Sequence, residues 1–219
     1  MEQSKFDRAI QIVTLLIAVM GVIHVAWMIY QGRGIKVTFE IMQYVAMLLV
    51  MVPGLLRKRL NLEMPWWLYS LIVFFCFWGL IMGDALNFYK IVPYWDDMLH
   101  LGSGVLLAAI GLWLLRVGLA KNDKPISFNR WALLFYLIVF SLGCATLWEC
   151  IEFMLDGYFG INMQQFMATT TGSLVTDADI PNCGREALYD TMIDLSDTLV
   201  GAVPTAIYCF FRYDKIITK

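Results

Sequence analysis

The chain reads as an all-α, polytopic integral membrane protein: a six-helix transmembrane bundle with both termini cytoplasmic. Three observations lead there. Apolar residues make up 60% of the 219 and charged residues only 16%, against about 45–50% and about 25% in soluble domains. Mean hydropathy is +0.67. The apolar residues fall into six long runs without the alternation of a strand, and a lipid-exposed chain has only helices or closed barrels open to it. This composition excludes a disordered chain, a nucleic-acid binder built on a basic patch and a disulfide-stapled secreted domain.

The runs cover residues 10–30, 36–56, 65–86, 95–119, 131–155 and 187–211. Each is long enough to cross a hydrocarbon core of about 30 Å as a helix. The first is too long for a signal-peptide core and lacks a small-x-small cleavage site, so it reads as a retained span. Gln31-Gly32-Arg33-Gly34 breaks the chain before the second run, Arg57-Lys58-Arg59 after it, and Pro93 before the fourth. Lys121-Asn122-Asp123-Lys124-Pro125 separates the fourth from the fifth, and a polar stretch from 157 to 185 precedes the sixth. Trp66, Trp67, Tyr94, Trp95, Trp131 and Tyr189 sit at span ends, where aromatic belts form.

No repeat or linker divides the chain, so residues 1–219 read as a single transmembrane domain with 157–185 as its one long outer loop. Loops longer than about 12–15 residues are commonly functional or disordered. Within this one, Thr169-Thr170-Thr171-Gly172 is a candidate lid.

Orientation follows from the basic residues. Twelve (Lys5, Arg8, Arg57, Lys58, Arg59, Arg116, Lys121, Lys124, Arg130, Arg212, Lys215, Lys219) fall on one side and four (Arg33, Lys36, Lys90, Arg185) on the other. The positive-inside rule then puts both termini in the cytoplasm of a plasma (bacterial inner) membrane protein. Thirteen of the eighteen acids go with the outer half.

Those acids are not all in loops. Span four opens with Asp96 and Asp97, four and three residues before His100; span five ends with Glu149, Glu152 and Asp156; span six begins with Asp190, Asp194 and Asp197. Each set keeps helical spacing and so shares a face. At about 1.5 Å rise per residue, His100, Glu149, Asp194 and Asp197 lie roughly 8–15 Å below the outer helix ends. Capping a helix N-terminus accounts for Asp96, Asp97 or Asp190, but not for the deeper residues. Ionisable groups inside spans are costly and usually face a bundle interior or cavity. Carboxylates crowded together without a basic partner share protons or take up a cation.

Three plainer assignments stand beside these. His24 reads as an interfacial or internally satisfied histidine, and Glu40, Asp84 and Asp156 as boundary residues. Gly102 and Gly104 read as positions of close helix packing. The five cysteines form no framework, although a Cys150–Cys183 bridge is one option.

The segment Tyr94-Trp95-Asp96-Asp97-Met98-Leu99-His100-Leu101-Gly102-Ser103-Gly104 resembles the aromatic-Asp-x-x-x-His-x-x-x-Gly segment of the YjdF-like bacterial inner-membrane family. Glu149-Cys150-Ile151-Glu152 is similar to its Glu-x-x-Glu, and Asp190-Thr191-Met192-Ile193-Asp194 to its Asp-x-x-x-Asp. The resemblance covers the three polar stripes in order. It implies a polytopic inner-membrane protein and supplies no reaction. Asp197 and the length of the 157–185 loop depart from the family pattern.

These residues point first to a metal-dependent membrane hydrolase or transferase. His100, Glu149, Glu152, Asp194 and Asp190 would be the ligands of a divalent ion (Zn, Mn, Mg or Fe). Asp97 and Asp197 would act as general base or orient a ligand. The substrate would be a lipid or polyprenyl-linked head group at the outer leaflet, with membrane lipids and a second copy of the chain as partners. A proton- or cation-coupled transporter would use the same acids, but the inner halves of the spans are nearly free of ionisable residues. A non-catalytic accessory protein with a structural metal site is the third reading.

Overall fold

The computed structural model describes residues 2–32, 35–56, 59, 64–120, 129–169 and 175–217. Among them are eight α-helices, one π-helical segment, one 3-10 turn and no strand. The breaks at Arg33-Gly34, Arg57-Lys58 and 121–125, and residues 170–172 of the threonine run, lie outside the described residues. Among the described residues, four helices are long and apolar enough to cross a membrane: Arg8–Tyr30, Trp66–Ala85, Trp95–Leu119 and Arg130–Phe159. Of the other two sequence runs, one keeps a shorter apolar helix, Glu40–Leu55, and the last opens with three aspartates. Large apolar side chains such as Leu15, Val22, Phe135 and Phe153 point outward, as lipid contact requires and water does not favour.

Contacts gather the chain into two compact units, Met1–Trp95 and Asp96–Lys219. The first contains α1 (Glu2–Tyr30), α2 (Ile35–Leu55), α3 (Trp66–Cys76), the π segment Phe77–Ala85 and the single turn α4 (Phe88–Ile91). Its core holds Tyr44, Met47, Met51, Tyr69 and Ile81. Pro53 stands inside α2, where it removes an amide donor and interrupts the backbone ladder. The Tyr69 hydroxyl enters that gap, accepting from Gly54 N at 3.1 Å and donating to Val50 O at 2.9 Å. Run three, which reads as one uninterrupted helix, widens to π geometry from Phe77, closing with Leu86 N to Ile81 O at 2.9 Å.

The second unit contains α5 (Trp95–Ala120, its first residue in the other unit), α6 (Arg130–Phe159), α7 (Tyr189–Phe211) and α8 (Tyr213–Ile217). Asn129 caps α6 by accepting from Ala132 N at 2.8 Å, and Gly160 ends it in the left-handed region at φ 61°. Leu133, Leu137, Ala206 and Cys209 form a core at one end. Toward the other end, α5 and α7 touch backbone to backbone. A Cβ on Gly104 would overlap the Thr198 carbonyl, and one on Gly201 the Leu101 carbonyl. The close packing expected of Gly104 is therefore real, with Gly201 as its counterpart.

Candidate functional site

The three polar stripes end up at one end of the second unit because α5 starts there, α6 finishes there and α7 starts there. The Gly104–Gly201 crossing lies about one turn farther along and leaves no room between α5 and α7. Ser103 Oγ donates to His100 O at 2.7 Å and lies 3.3 Å from Thr198 Oγ1, which itself reaches His100 O at 3.4 Å. These contacts set the His100 ring against α7. Its Nε2 lies 3.5 Å from Asp96 Oδ1 and 3.6 Å from Asp194 Oδ2. Both separations exceed the usual hydrogen-bond range of about 2.7–3.2 Å.

Two groups of potential donor atoms result: Asp96, His100 and Asp194, and Glu149, Glu152 and Asp194. Within each group the atoms lie within 4.8 Å of one another, and Asp194 belongs to both. Asp194 is 2% exposed and Glu149 4%. Three carboxylate oxygens here are buried and make no hydrogen bond: Glu149 Oε1, Asp190 Oδ2 and Asp194 Oδ2. Orphaned buried oxygens cost about 1–3 kcal/mol each, more when charged. Their concentration in one place needs a reason.

The other oxygens are held by neutral donors. Trp148 Nε1 donates to Glu152 Oε1 at 2.7 Å. Gln164 Nε2 reaches Glu149 Oε2 at 3.4 Å and Thr191 Oγ1 at 3.0 Å. Gln165 Nε2 donates to Asp190 Oδ1 at 2.6 Å and reaches Asp96 Oδ2 at 3.3 Å. Asp96, Glu149 and Asp190 thus each offer one oxygen to an amide and keep the other free of one. Amide donors that hold one oxygen in place orient the other in carboxylates that bind metals. Among the described residues, no lysine or arginine ion-pairs with any of the five acids.

Both glutamines come from the 157–185 loop, whose residues 163–165 fold back over this end. Asp156, buried at 6% exposure, accepts Met163 N at 2.8 Å and Gln164 N at 3.0 Å. It thus anchors the loop. An antiparallel bridge pairs Met167 with Pro181, and Asn182 Nδ2 donates to Gln165 O at 2.9 Å. Gln165 sits at φ 45°, a conformation uncommon for a residue with a side chain.

Of the residues singled out in the sequence, His100, Glu149, Glu152 and Asp194 come together directly, and Asp190 joins them through Gln165. Asp97 and Asp197 stand outside both donor groups and are half-buried. Asp96, read as a possible cap, is the member of the Asp96-Asp97 pair that faces His100 in a donor group. Gln164, Gln165 and Trp148 carried no signal, because polar residues in an aperiodic loop and a tryptophan in an apolar run look ordinary. In the first unit, His24 Nδ1 lies 3.1 Å from Tyr44 Oη and 3.9 Å from Glu40 Oε2, its ring stacked on Trp27. All five cysteines are free, Cys150 and Cys183 among them.

Chemically, each donor group could hold a divalent cation, one through two carboxylates and an imidazole, the other through three carboxylates. No curated protein and no solved structure matches the chain. A family model described as "Predicted membrane protein (DUF2238)" matches residues 12–215, in keeping with the resemblance to YjdF-like proteins. The chain belongs to this family of membrane proteins.

Proposed function

We propose that the protein is a six-span plasma-membrane protein with both termini cytoplasmic, acting as a metal-dependent hydrolase or transferase on a lipid or polyprenyl-linked head group at the outer leaflet. The observation that carries this reading is the set of buried carboxylate oxygens without hydrogen bonds, Glu149 Oε1, Asp190 Oδ2 and Asp194 Oδ2, the last of them 3.6 Å from His100 Nε2. Protein donors already hold the opposite oxygens of Glu149 and Asp190, so the free oxygens call for a proton or a cation, and the imidazole beside Asp194 Oδ2 favours the cation. The twelve-to-four division of basic residues supports the orientation.

In this reading His100, Glu149, Glu152, Asp190 and Asp194, joined by Asp96, hold a Zn, Mn, Mg or Fe ion. Such an ion supplies Lewis-acid polarisation of a phosphoryl or acyl oxygen and a water acidic enough to react at neutral pH. Asp97 and Asp197, at the side of the donor groups, accept the proton of the attacking water or orient it. Gln164 and Gln165 hold the loop across the carboxylates and limit access from the aqueous side. A head group then enters laterally from the lipid.

The test is turnover by the full chain in nanodiscs made from bacterial lipids. Lipid products that appear with Mn²⁺ or Zn²⁺, disappear with chelator and are absent in His100→Ala support the reading. Divalent-cation flux into proteoliposomes without lipid turnover would replace the enzyme with a transporter. A fall in melting temperature on chelation, with neither activity, would leave a structural metal site.

A further inference from the structure

We infer that the cluster is built for two divalent cations that share Asp194, an inference that rests on the metal reading above. Asp194 belongs both to the group with Asp96 and His100 and to the group with Glu149 and Glu152, while no other described residue belongs to both. Its carboxylate is 2% exposed and its Oδ2 has no hydrogen-bond donor. A carboxylate offers two oxygens and can therefore bridge two ions.

Charge points the same way. Five carboxylates (Asp96, Glu149, Glu152, Asp190, Asp194) share the site, and the donors that reach them, Trp148, Gln164 and Gln165, are neutral. With all five ionised, one divalent ion would leave three negative charges in a largely buried place and two would leave one; without the second ion, protons would have to neutralise the remainder. Buried charge without a partner is the costliest of the arrangements available.

The two groups also differ in kind. Distances of 3.5 Å and 3.6 Å from His100 Nε2 to Asp96 Oδ1 and Asp194 Oδ2 are long for hydrogen bonds. They match the ligand-to-ligand edge of about 3.4 Å expected for tetrahedral coordination with bonds of ~2.1 Å. This imidazole-containing position favours Zn²⁺ or Fe²⁺. The position of Glu149, Glu152 and Asp194 is all oxygen and favours Mg²⁺ or Mn²⁺. Paired ions of this sort clamp the attacking and leaving oxygens of a phosphoryl displacement, which narrows the head-group chemistry to phosphate or pyrophosphate esters.

Manganese reports on both positions. Chelator-stripped, detergent-purified full-length protein is saturated with Mn²⁺, freed of excess, and read by metal analysis and electron paramagnetic resonance. Two ions per chain with an exchange-coupled spectrum are expected in the wild type. Asp96→Asn and Glu149→Gln should each keep one ion with an uncoupled signal, and Asp194→Asn should keep none. One ion per chain in the wild type overturns the pair while leaving the single-metal reading intact. Two ions without coupling also overturn it, since the positions are then not adjacent. No bound ion at all removes both readings. The wild-type count and spectrum decide by themselves, so a variant that fails to fold leaves the conclusion secure.

Discussion

Two histidines sit beside carboxylates in this molecule, and they differ in what surrounds them. In the first unit His24 has the Tyr44 hydroxyl at 3.1 Å, the Trp27 ring stacked on it and one carboxylate, Glu40, at 3.9 Å. In the second, His100 faces two carboxylates at 3.5 and 3.6 Å, and one of them belongs to a further group of acids. An acid near a histidine inside a span is thus not enough to mark a site. What separates the second region is the number of carboxylates brought together, five from three helices, three of which carry a buried oxygen that makes no hydrogen bond.

The largest effect should come from breaking the frame that brings His100 to Asp194. Gly104→Val would drive a branched side chain into the Thr198 carbonyl. Overpacking against a rigid neighbour costs about 1–3 kcal/mol and sometimes more. We expect little folded protein on size-exclusion chromatography, whereas Gly118→Val on the same helix, where a Cβ meets nothing, should express normally.

Next comes the contrast between the histidine regions themselves. With a divalent cation at 100 times its dissociation constant, the wild type gains about 2.7 kcal/mol, read as a rise in melting temperature. His24→Ala should keep that rise and Asp194→Asn should lose it. In chelator the order changes: Asp194→Asn removes a crowded negative charge and should melt no lower than the wild type. A rise that survives in Asp194→Asn but vanishes in His24→Ala would put the cation in the wrong unit.

Tyr69→Phe sharpens the comparison from the other side. It deprives Gly54 N and Val50 O of the hydroxyl that spans the Pro53 break, at a cost of about 1–3 kcal/mol for buried groups left unpaired. The melting temperature should fall while the cation-induced rise remains. The smallest effect belongs to Gln165→Ala. Loss of its bonds to Asp190 and Asp96 should cost about 0.5–1.5 kcal/mol, and hydrogen exchange should speed up in residues 161–169 and leave α2 and α3 unchanged.

Much of this was legible in the residues. Stripes at Asp96–His100, Glu149–Glu152 and Asp190–Asp194 follow from helical spacing alone, and Gly104 signalled a close crossing because small residues in apolar helices have few other uses. The choice between Asp96 and Asp97 was not legible. Positions three and four residues before His100 share its face equally, and only the partners on α7 decide. Gln164 and Gln165 were hidden because a loop has no period to read. The π segment was hidden because an apolar run looks the same at either pitch, and the Tyr69–Pro53 repair because it joins residues from different helices.

The claim that the acids of α5, α6 and α7 form a cation site is tested most directly by calorimetric titration of chelator-stripped protein with Mn²⁺, beside Asp194→Asn. Saturable binding by the wild type and none by the variant is the predicted result. Wild-type protein that binds no Mn²⁺, or a variant that binds it equally well, would contradict the account.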